Sequence, residues 1–131
     1  QLVTLQGHRD AALLAWEQAI AATVVHYIND VLQDMTALEA DDGYDFGTHA
    51  KHWSELKGFA LGFQFNPRSP LSQAEFGELH DFIGTAPVLA DAEPAERADY
   101  AADLLAARAL VADAYGFDAA NIGDQNGENG W

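Results

Sequence analysis

Apolar residues recur at helical spacing in four stretches of this chain, and no stretch of useful length alternates as a β-strand does. The first predicted helix runs from about Asp10 to about Leu38. An apolar stripe with intervals of three and four residues follows it: Leu13, Trp16, Ile20, Val24, Tyr27, Val31, Met35 and Leu38. A second apolar row beside this stripe predicts that the helix packs against more than one neighbour.

Capping signals mark the limits of the other three predicted helices. The second helix is expected over about Asp45–Phe65, where the prolines that follow prevent its continuation. Ser72-Gln73-Ala74-Glu75 is a capping-box pattern that opens a short third helix, and Gly84 suits its C-terminal cap. Asp91–Pro94 opens a fourth helix, and Gly116 suits its end.

Four helices with short connections predict an all-α, four-helix bundle-like fold. Residues 1–117 are expected to form the helical bundle domain, and residues 118–131 a polar, Gly-rich and irregular C-terminal segment, which we call the tail. The Asp124–Glu128 stretch of the tail has oxygen ligands at alternate positions, as calcium loops do. It lacks the spacing of the EF-hand loop, so a flexible acidic tail is the favoured interpretation.

Composition limits the classes of partner. The chain has 131 residues and a formal net charge of −15, from 21 acidic and 6 basic residues. Such a field repels nucleic acids and anionic membrane surfaces and favours cations or basic partners. The apolar runs are short, so no transmembrane segment is expected. The absence of cysteine excludes thiolate metal sites, and the start at Gln1 suggests a piece of a longer precursor.

Three polar side chains share the inward face predicted for the second helix. His49, His52 and Glu55 lie on one face at about 100° per residue, together with the apolar residues Leu56, Phe59 and Phe63. Imidazole and carboxylate at three-residue spacing are ligands for a divalent metal ion, with iron or zinc as the expected cofactor. The alternative is a buried His–Glu hydrogen-bond network without an ion.

One basic residue lies on an apolar stripe. Arg108 falls on the inward stripe of the fourth helix, where a guanidinium requires a carboxylate partner. A bidentate ion pair between Arg108 and Glu55 would satisfy both groups and would compete with a cation at the same carboxylate. The other interpretation places Arg108 at the edge of the bundle, with its charge directed to solvent.

The remaining histidines receive different interpretations. His26 points away from the main apolar arc of the first helix, near Asn29 and Asp30. In an isolated bundle this is a solvated histidine beside Asp30, whereas in a larger protein the three residues are a candidate interface. His80 shares a face with apolar residues and is expected to be partly buried.

Residues 22–29, 50–67 and 115–122 together resemble a family of bacterial envelope proteins described only as a domain of unknown function. That family is distantly similar to the imelysin-like, iron-regulated proteins, which are built from two bundle-like halves and carry a GxHxxE motif. His52 and Glu55 match the HxxE part of the motif, and Ala50 stands where the motif has glycine. The resemblance implies the C-terminal half of a periplasmic, secreted or outer-membrane-associated protein.

Three functions follow as expectations. The leading one is a non-enzymatic envelope protein, linked to iron or other metal acquisition, that binds a ligand or a partner. The second is a metal-dependent peptidase of the imelysin type, with Glu55 as ligand or base. The third is a structural half-bundle. The expected partner is the protein's own N-terminal half or another envelope protein.

Overall fold

The computed structural model describes all 131 residues and contains four α-helices and no β-strand. The helices are α1 (Leu2–Ala40), α2 (Phe46–Leu61), α3 (Gln73–Ile83) and α4 (Pro94–Tyr115). Short 3₁₀ turns at Gly62–Phe65 and Ala119–Asn121 follow α2 and α4. The predicted all-α, four-helix fold is confirmed.

The four helices form a closed ring of contacts around one core. Helix α1 packs against α2 and α4, and α3 packs against the same two helices from the other side. The C-terminal half of α1 supplies the largest share of the core: Ala21, Val24, Val25, Ile28, Val31, Leu32 and Met35. Each large apolar side chain buried here contributes about 1.5–3 kcal/mol to stability.

Helix ends form where the capping signals predict them. The Asp45 carboxylate accepts the Thr48 backbone N–H at 2.8 Å and so begins α2. Ser72 and Glu75 form the predicted capping box at the start of α3. Gly116 ends α4 with φ 68°, in the left-handed region where glycine carries no steric cost.

Side chains of α2 and α4 satisfy the carbonyl groups at the end of α3. The Ile83 carbonyl accepts hydrogen bonds from the Trp53 indole at 3.2 Å and from the Tyr100 hydroxyl at 3.0 Å. The Lys57 ammonium donates to the Gly84 carbonyl at 2.7 Å. These carbonyls have no partner within their own helix, so the three bonds also fix α2 and α4 against α3.

Three residues of the predicted inward stripes lie at the surface instead: Leu13, Trp16 and Phe59. Trp16 is 75% exposed, because α1 starts at Leu2 and its first part extends beyond the shorter α2 and α4. Phe59 is 41% exposed and stacks on Tyr27 at the outer edge of the α1–α2 contact, with ring centroids 5.7 Å apart. Helical periodicity identifies an apolar face but does not show how far a neighbour covers it.

We call residues 2–16 of α1 the arm. The arm spans about 22 Å at 1.5 Å per residue, and every one of its residues is exposed. Its exposed large apolar side chains are Leu2, Val3, Leu5, Leu13, Leu14 and Trp16. The apolar character of α1 therefore continues past the point where the bundle covers it.

By length and composition, α1 could also cross a membrane, since its most apolar window has a mean hydropathy of 1.3. Core helices of soluble proteins and signal sequences meet the same criterion. Seven residues of α1 between Ala21 and Met35 belong to the core, whereas residues 2–16 are exposed.

The tail is irregular, as expected, but it is not detached from the bundle. The fully buried Asn29 amide donates to the Ile122 carbonyl at 3.1 Å and to the Trp131 carbonyl at 3.0 Å. Gln33 donates to the Gly127 carbonyl at 2.7 Å. The expectation of a flexible tail is therefore wrong, because polar side chains of α1 bind its backbone.

A single carboxylate organises the loop within the tail. Asp124 accepts the backbone N–H groups of Asn126 at 2.9 Å and Glu128 at 3.0 Å, and the side-chain amide of Asn129 at 3.0 Å. These bonds hold the pKa of Asp124 below its usual value of 3.8, and the nearby Arg108 lowers it further. The Asp124 oxygens, the first of the set that suggested a calcium loop, accept N–H groups of the loop itself.

The close approach of the tail to α1 makes a stability prediction. We expect Gly127→Ala to lower the free energy of unfolding by about 1–3 kcal/mol, measured by urea denaturation. Gly127 has φ +80°, and a Cβ there would overlap the Asn29 carbonyl. Gly77→Ala is the control: it lies within α3 with open space around its Cβ, so alanine should be neutral or stabilising by up to about 1 kcal/mol. Equal effects of the two substitutions would show that the tail does not dock.

Candidate functional site

Histidines of α2 and aspartates of α1 alternate across the contact between these helices. Asp34 Oδ2 lies 2.8 Å from His52 Nδ1 and 3.4 Å from His49 Nδ1. One turn earlier on α1, Asp30 Oδ2 lies 3.9 Å from His52 Nε2 and 3.3 Å from His26 Nε2. We call these five residues the His/Asp row. It leads from the fully buried His49 to His26, whose side chain is 48% exposed.

The buried end of the row contains polar atoms without partners. Neither ring nitrogen of His49 makes a hydrogen bond, although the side chain is 0% exposed. Nδ1 lies 3.4 Å from Asp34 Oδ2, but the two atoms are not aligned for a hydrogen bond. The hydroxyl of Tyr44 is buried without a partner too, and its ring centroid lies 5.8 Å from that of His49. Unsatisfied buried polar groups are costly, so these atoms are the polar groups at the inner end of the row that still lack a hydrogen bond.

His52 occupies the centre of the row and has a carboxylate on each side. The Asp34 carboxylate accepts a hydrogen bond from His52 Nδ1, which fixes the ring and turns Nε2 towards Asp30. Second carboxylates orient metal-binding histidines in this way. As the side chains stand, no group of three or more His, Asp or Glu residues forms a coordination set for a metal ion.

Glu55, the third predicted metal ligand, lies outside the row. It is partly buried at the α1–α2 contact and makes no ion pair with His49 or His52. Its carboxylate stands beside the Tyr27 hydroxyl and raises the pKa of Tyr27 above 10.0. Asp34 therefore occupies the position beside the two histidines where Glu55 was expected.

The predicted ion pair between Arg108 and Glu55 is wrong. Arg108 is buried on α4, and its Nη1 donates to the Asn29 side-chain carbonyl at 2.6 Å. Burial lowers the pKa of Arg108, and the Asp124 carboxylate opposes that shift. Helix α4 meets α1 on the face that carries Asn29, whereas Glu55 faces α1 from α2, so the two groups do not meet.

The three residues of the candidate interface, His26, Asn29 and Asp30, do not all lie at the surface. His26 is exposed and Asp30 is partly buried, but Asn29 is fully buried and bonded to Arg108 and the tail. Spacing could have revealed this, because Asn29 follows Val25 by four residues and so falls on the core face. Only His26 and Asp30 remain at the surface.

A buried carboxylate on α1 is a second polar site, which the sequence pattern alone did not single out. Glu17 is 4% exposed and accepts hydrogen bonds from the Tyr115 hydroxyl at 2.7 Å, from the Ser69 hydroxyl and from the Asn66 amide. Its position in the sequence could have indicated its burial, because Glu17 precedes Ala21 by four residues and so falls on the core face. The donors come from α4 and from the segment after α2, and no basic side chain bonds to Glu17.

The environment of His80 leads to a prediction about how the unfolding free energy depends on pH. Burial and the neighbouring Lys57 hold the pKa of His80 below 6.5, against a smaller opposing effect of Asp81. The unfolded chain therefore binds a proton near pH 6.5 that the folded chain resists, and stability falls as pH decreases through this region. We expect His80→Gln to make the unfolding free energy less dependent on pH between 7.5 and 5.5, measured by urea denaturation. The exposed His8→Gln should retain the wild-type slope, and equal slopes in all three proteins would contradict the assignment.

Comparisons with known proteins identify no relative of this chain. No protein-family model, no curated protein and no solved structure matches this chain. The resemblance to an envelope family and to imelysin-like proteins therefore stays a prediction. The physical basis for a function is the chain's own geometry, in the arm, the His/Asp row and the Glu17 site.

Proposed function

We propose that this chain is a non-enzymatic helical binding module of a bacterial envelope, which docks a partner protein through the arm of α1. The observation that carries the proposal is the exposure of the arm. Val3 is 81% exposed, Leu2 68% and Leu5 66%, on the same helix that supplies the largest share of the core.

An uncovered apolar helix requires a physical explanation. Helical segments of about 15 residues without tertiary packing are marginal in water. Soluble monomers rarely expose contiguous apolar patches larger than a few hundred Å². Phe65, from the turn after α2, is 80% exposed beside the base of the arm and enlarges the apolar surface. A partner that covers the arm would supply the packing that α2 and α4 do not.

The chemistry of the arm indicates an apolar partner surface. Arg9 and Asp10 are its only charged residues, and they pair with each other at 2.7 Å. The arm is thus close to neutral in a chain of net charge −15, so apolar contact rather than charge would drive docking along it. The expected partner is the N-terminal half of a larger protein or another envelope protein, and the family resemblance supports the envelope setting.

Photocrosslinking tests the docking proposal. We expect a photoreactive amino acid at Val3 or Leu5 to give a discrete crosslinked product in an envelope fraction, whereas one at the exposed Asp113 of α4 should not. Val3→Glu together with Leu5→Glu should prevent crosslinking from Leu14. The double variant should change the unfolding free energy by less than about 1 kcal/mol, because both residues are exposed. Identical products from the arm and from Asp113 would contradict a specific docking surface.

Metal binding is the second candidate function, and the unpartnered His49 favours it. A divalent ion held by Asp34, His49 and His52 would give the buried His49 imidazole a partner and would suit iron or zinc. The side chains would have to adjust to form this set, since Asp34 and His52 now bond to each other. The acidic chain raises the local concentration of cations.

Calorimetric titration of the metal-free protein with Zn²⁺, and with Fe²⁺ under anaerobic conditions, tests this candidate. We expect one bound ion and at least about a tenfold loss of affinity in both His49→Ala and Asp34→Asn. His8→Ala, on the exposed arm, is the matched control and should bind as the wild type does. Absence of binding, or equal binding by all four proteins, would remove the metal site.

A further inference from the structure

We propose that the cleft at the base of the arm binds a Lys or Arg side chain of the docking partner, with the Glu17 carboxylate receiving the cation. This inference rests on the proposed docking function and specifies the chemistry of the partner. It assigns a ligand to the buried carboxylate that has no basic neighbour bonded to it.

The cleft has the size and lining of a site for one long side chain. It encloses about 370 Å³ between the arm of α1 and the turn that follows α2. Glu17 is part of its lining, and the other side chains that form it include Leu13, Trp16, Ile20, Phe63, Phe65 and Arg68. A carboxylate is therefore combined with apolar and aromatic walls.

The charge of Glu17 is not balanced by a cation. All three of its hydrogen-bond donors, the side chains of Tyr115, Ser69 and Asn66, are neutral. Buried charges in proteins are normally paired with an opposite charge. A carboxylate has about four lone-pair sites, so three donors leave one free for an ammonium or guanidinium group.

The nearest basic side chain does not fill this role. Arg68 lies at the rim of the cleft, but its guanidinium bonds to Asp10 of the arm and is about half exposed. The counter-ion of Glu17 can therefore come from outside the chain. The net charge of −15 favours the approach of a basic segment over an acidic one.

The walls of the cleft match the stem of a basic side chain. Trp16 is 75% exposed and Phe65 is 80% exposed, so both rings are accessible to a ligand. Aromatic faces attract ammonium and guanidinium groups, and the methylene stems of Lys and Arg pack on apolar surface. A purely apolar side chain would leave the Glu17 carboxylate without a matching charge. An acidic side chain would repel Glu17 and would not bind the aromatic faces as a cation does.

Small-molecule titration followed by NMR tests the inference, with hexylammonium as the probe and hexanol as its neutral control. We expect hexylammonium to shift the Trp16 indole N–H signal with an affinity in roughly the millimolar range. Its affinity should exceed that of hexanol by about tenfold or more, because hydrogen bonds to charged groups are the stronger ones. Equal affinities, or no shift at Trp16, would overturn the proposal.

Two variants test whether the Glu17 carboxylate causes the preference for hexylammonium over hexanol. Glu17→Gln should abolish the preference for hexylammonium over hexanol. Arg68→Gln should raise the affinity for hexylammonium, since it removes a like charge from the rim, and its exposed position leaves the fold intact. Glu78→Gln, on the exposed face of α3, should match the wild type. An unchanged affinity in Arg68→Gln would also overturn the proposal.

The crosslinking experiment and the hexylammonium titration test the two proposals independently. Crosslinking from Val3 or Leu5 concerns the arm, and neither residue lines the cleft. Loss of the hexylammonium preference with crosslinking intact would remove cation recognition alone. Binding of hexylammonium without any crosslink would remove the docking function.

Discussion

The buried hydrogen bond between Asn29 and Arg108 is the interaction on which the arrangement of this protein depends. It joins α1 to α4 at 2.6 Å, and the amide group of the same Asn29 holds the tail by the carbonyls of Ile122 and Trp131. Without Asn29, the Arg108 cation would be buried without its acceptor, which is strongly destabilising. Asp124 completes the set, since its carboxylate lies in the tail near the Arg108 charge. Helix, helix and tail are therefore stabilised together rather than one by one.

Helix α1 carries polar groups on two different faces, and each face has its own partner. Asn29 faces α4 and the tail, whereas Asp30 and Asp34 face the histidines of α2. Buried or half-buried polar pairs of this kind favour one helix register, because a rotated helix would leave them unpaired. The inner end at His49 is the exception, since neither of its ring nitrogens makes a hydrogen bond. Such an unsatisfied group is more informative about function than the satisfied ones around it.

The two halves of α1 have different roles. Residues 21–35 contribute the largest share of the core, whereas residues 2–16 are all exposed and include six large apolar side chains. Glu17 stands at the boundary, where the core ends and the exposed cleft begins. One continuous helix thus connects the stable bundle to the surface that we assign to a partner. The exposed apolar surface thus lies in the N-terminal part of α1, and the His/Asp row lies along its C-terminal half.

The sequence by itself determined the all-α fold, the presence of four helices and the caps of α2, α3 and α4, because helical periodicity and capping are local properties of the chain. It placed the start of the first helix near Asp10, whereas α1 begins at Leu2. It also identified His49 and His52 as inward-facing. It did not identify their partner, Asp34, and it joined Arg108 to Glu55 although α4 and α2 approach different faces of α1. It treated Trp16 as core, since periodicity contains no information about where a neighbouring helix ends. The tail docks through contacts between residues about 90–100 positions apart, such as Asn29 with Ile122 and Trp131. Contacts at that separation depend on how the helices pack, so only the tertiary structure decided them.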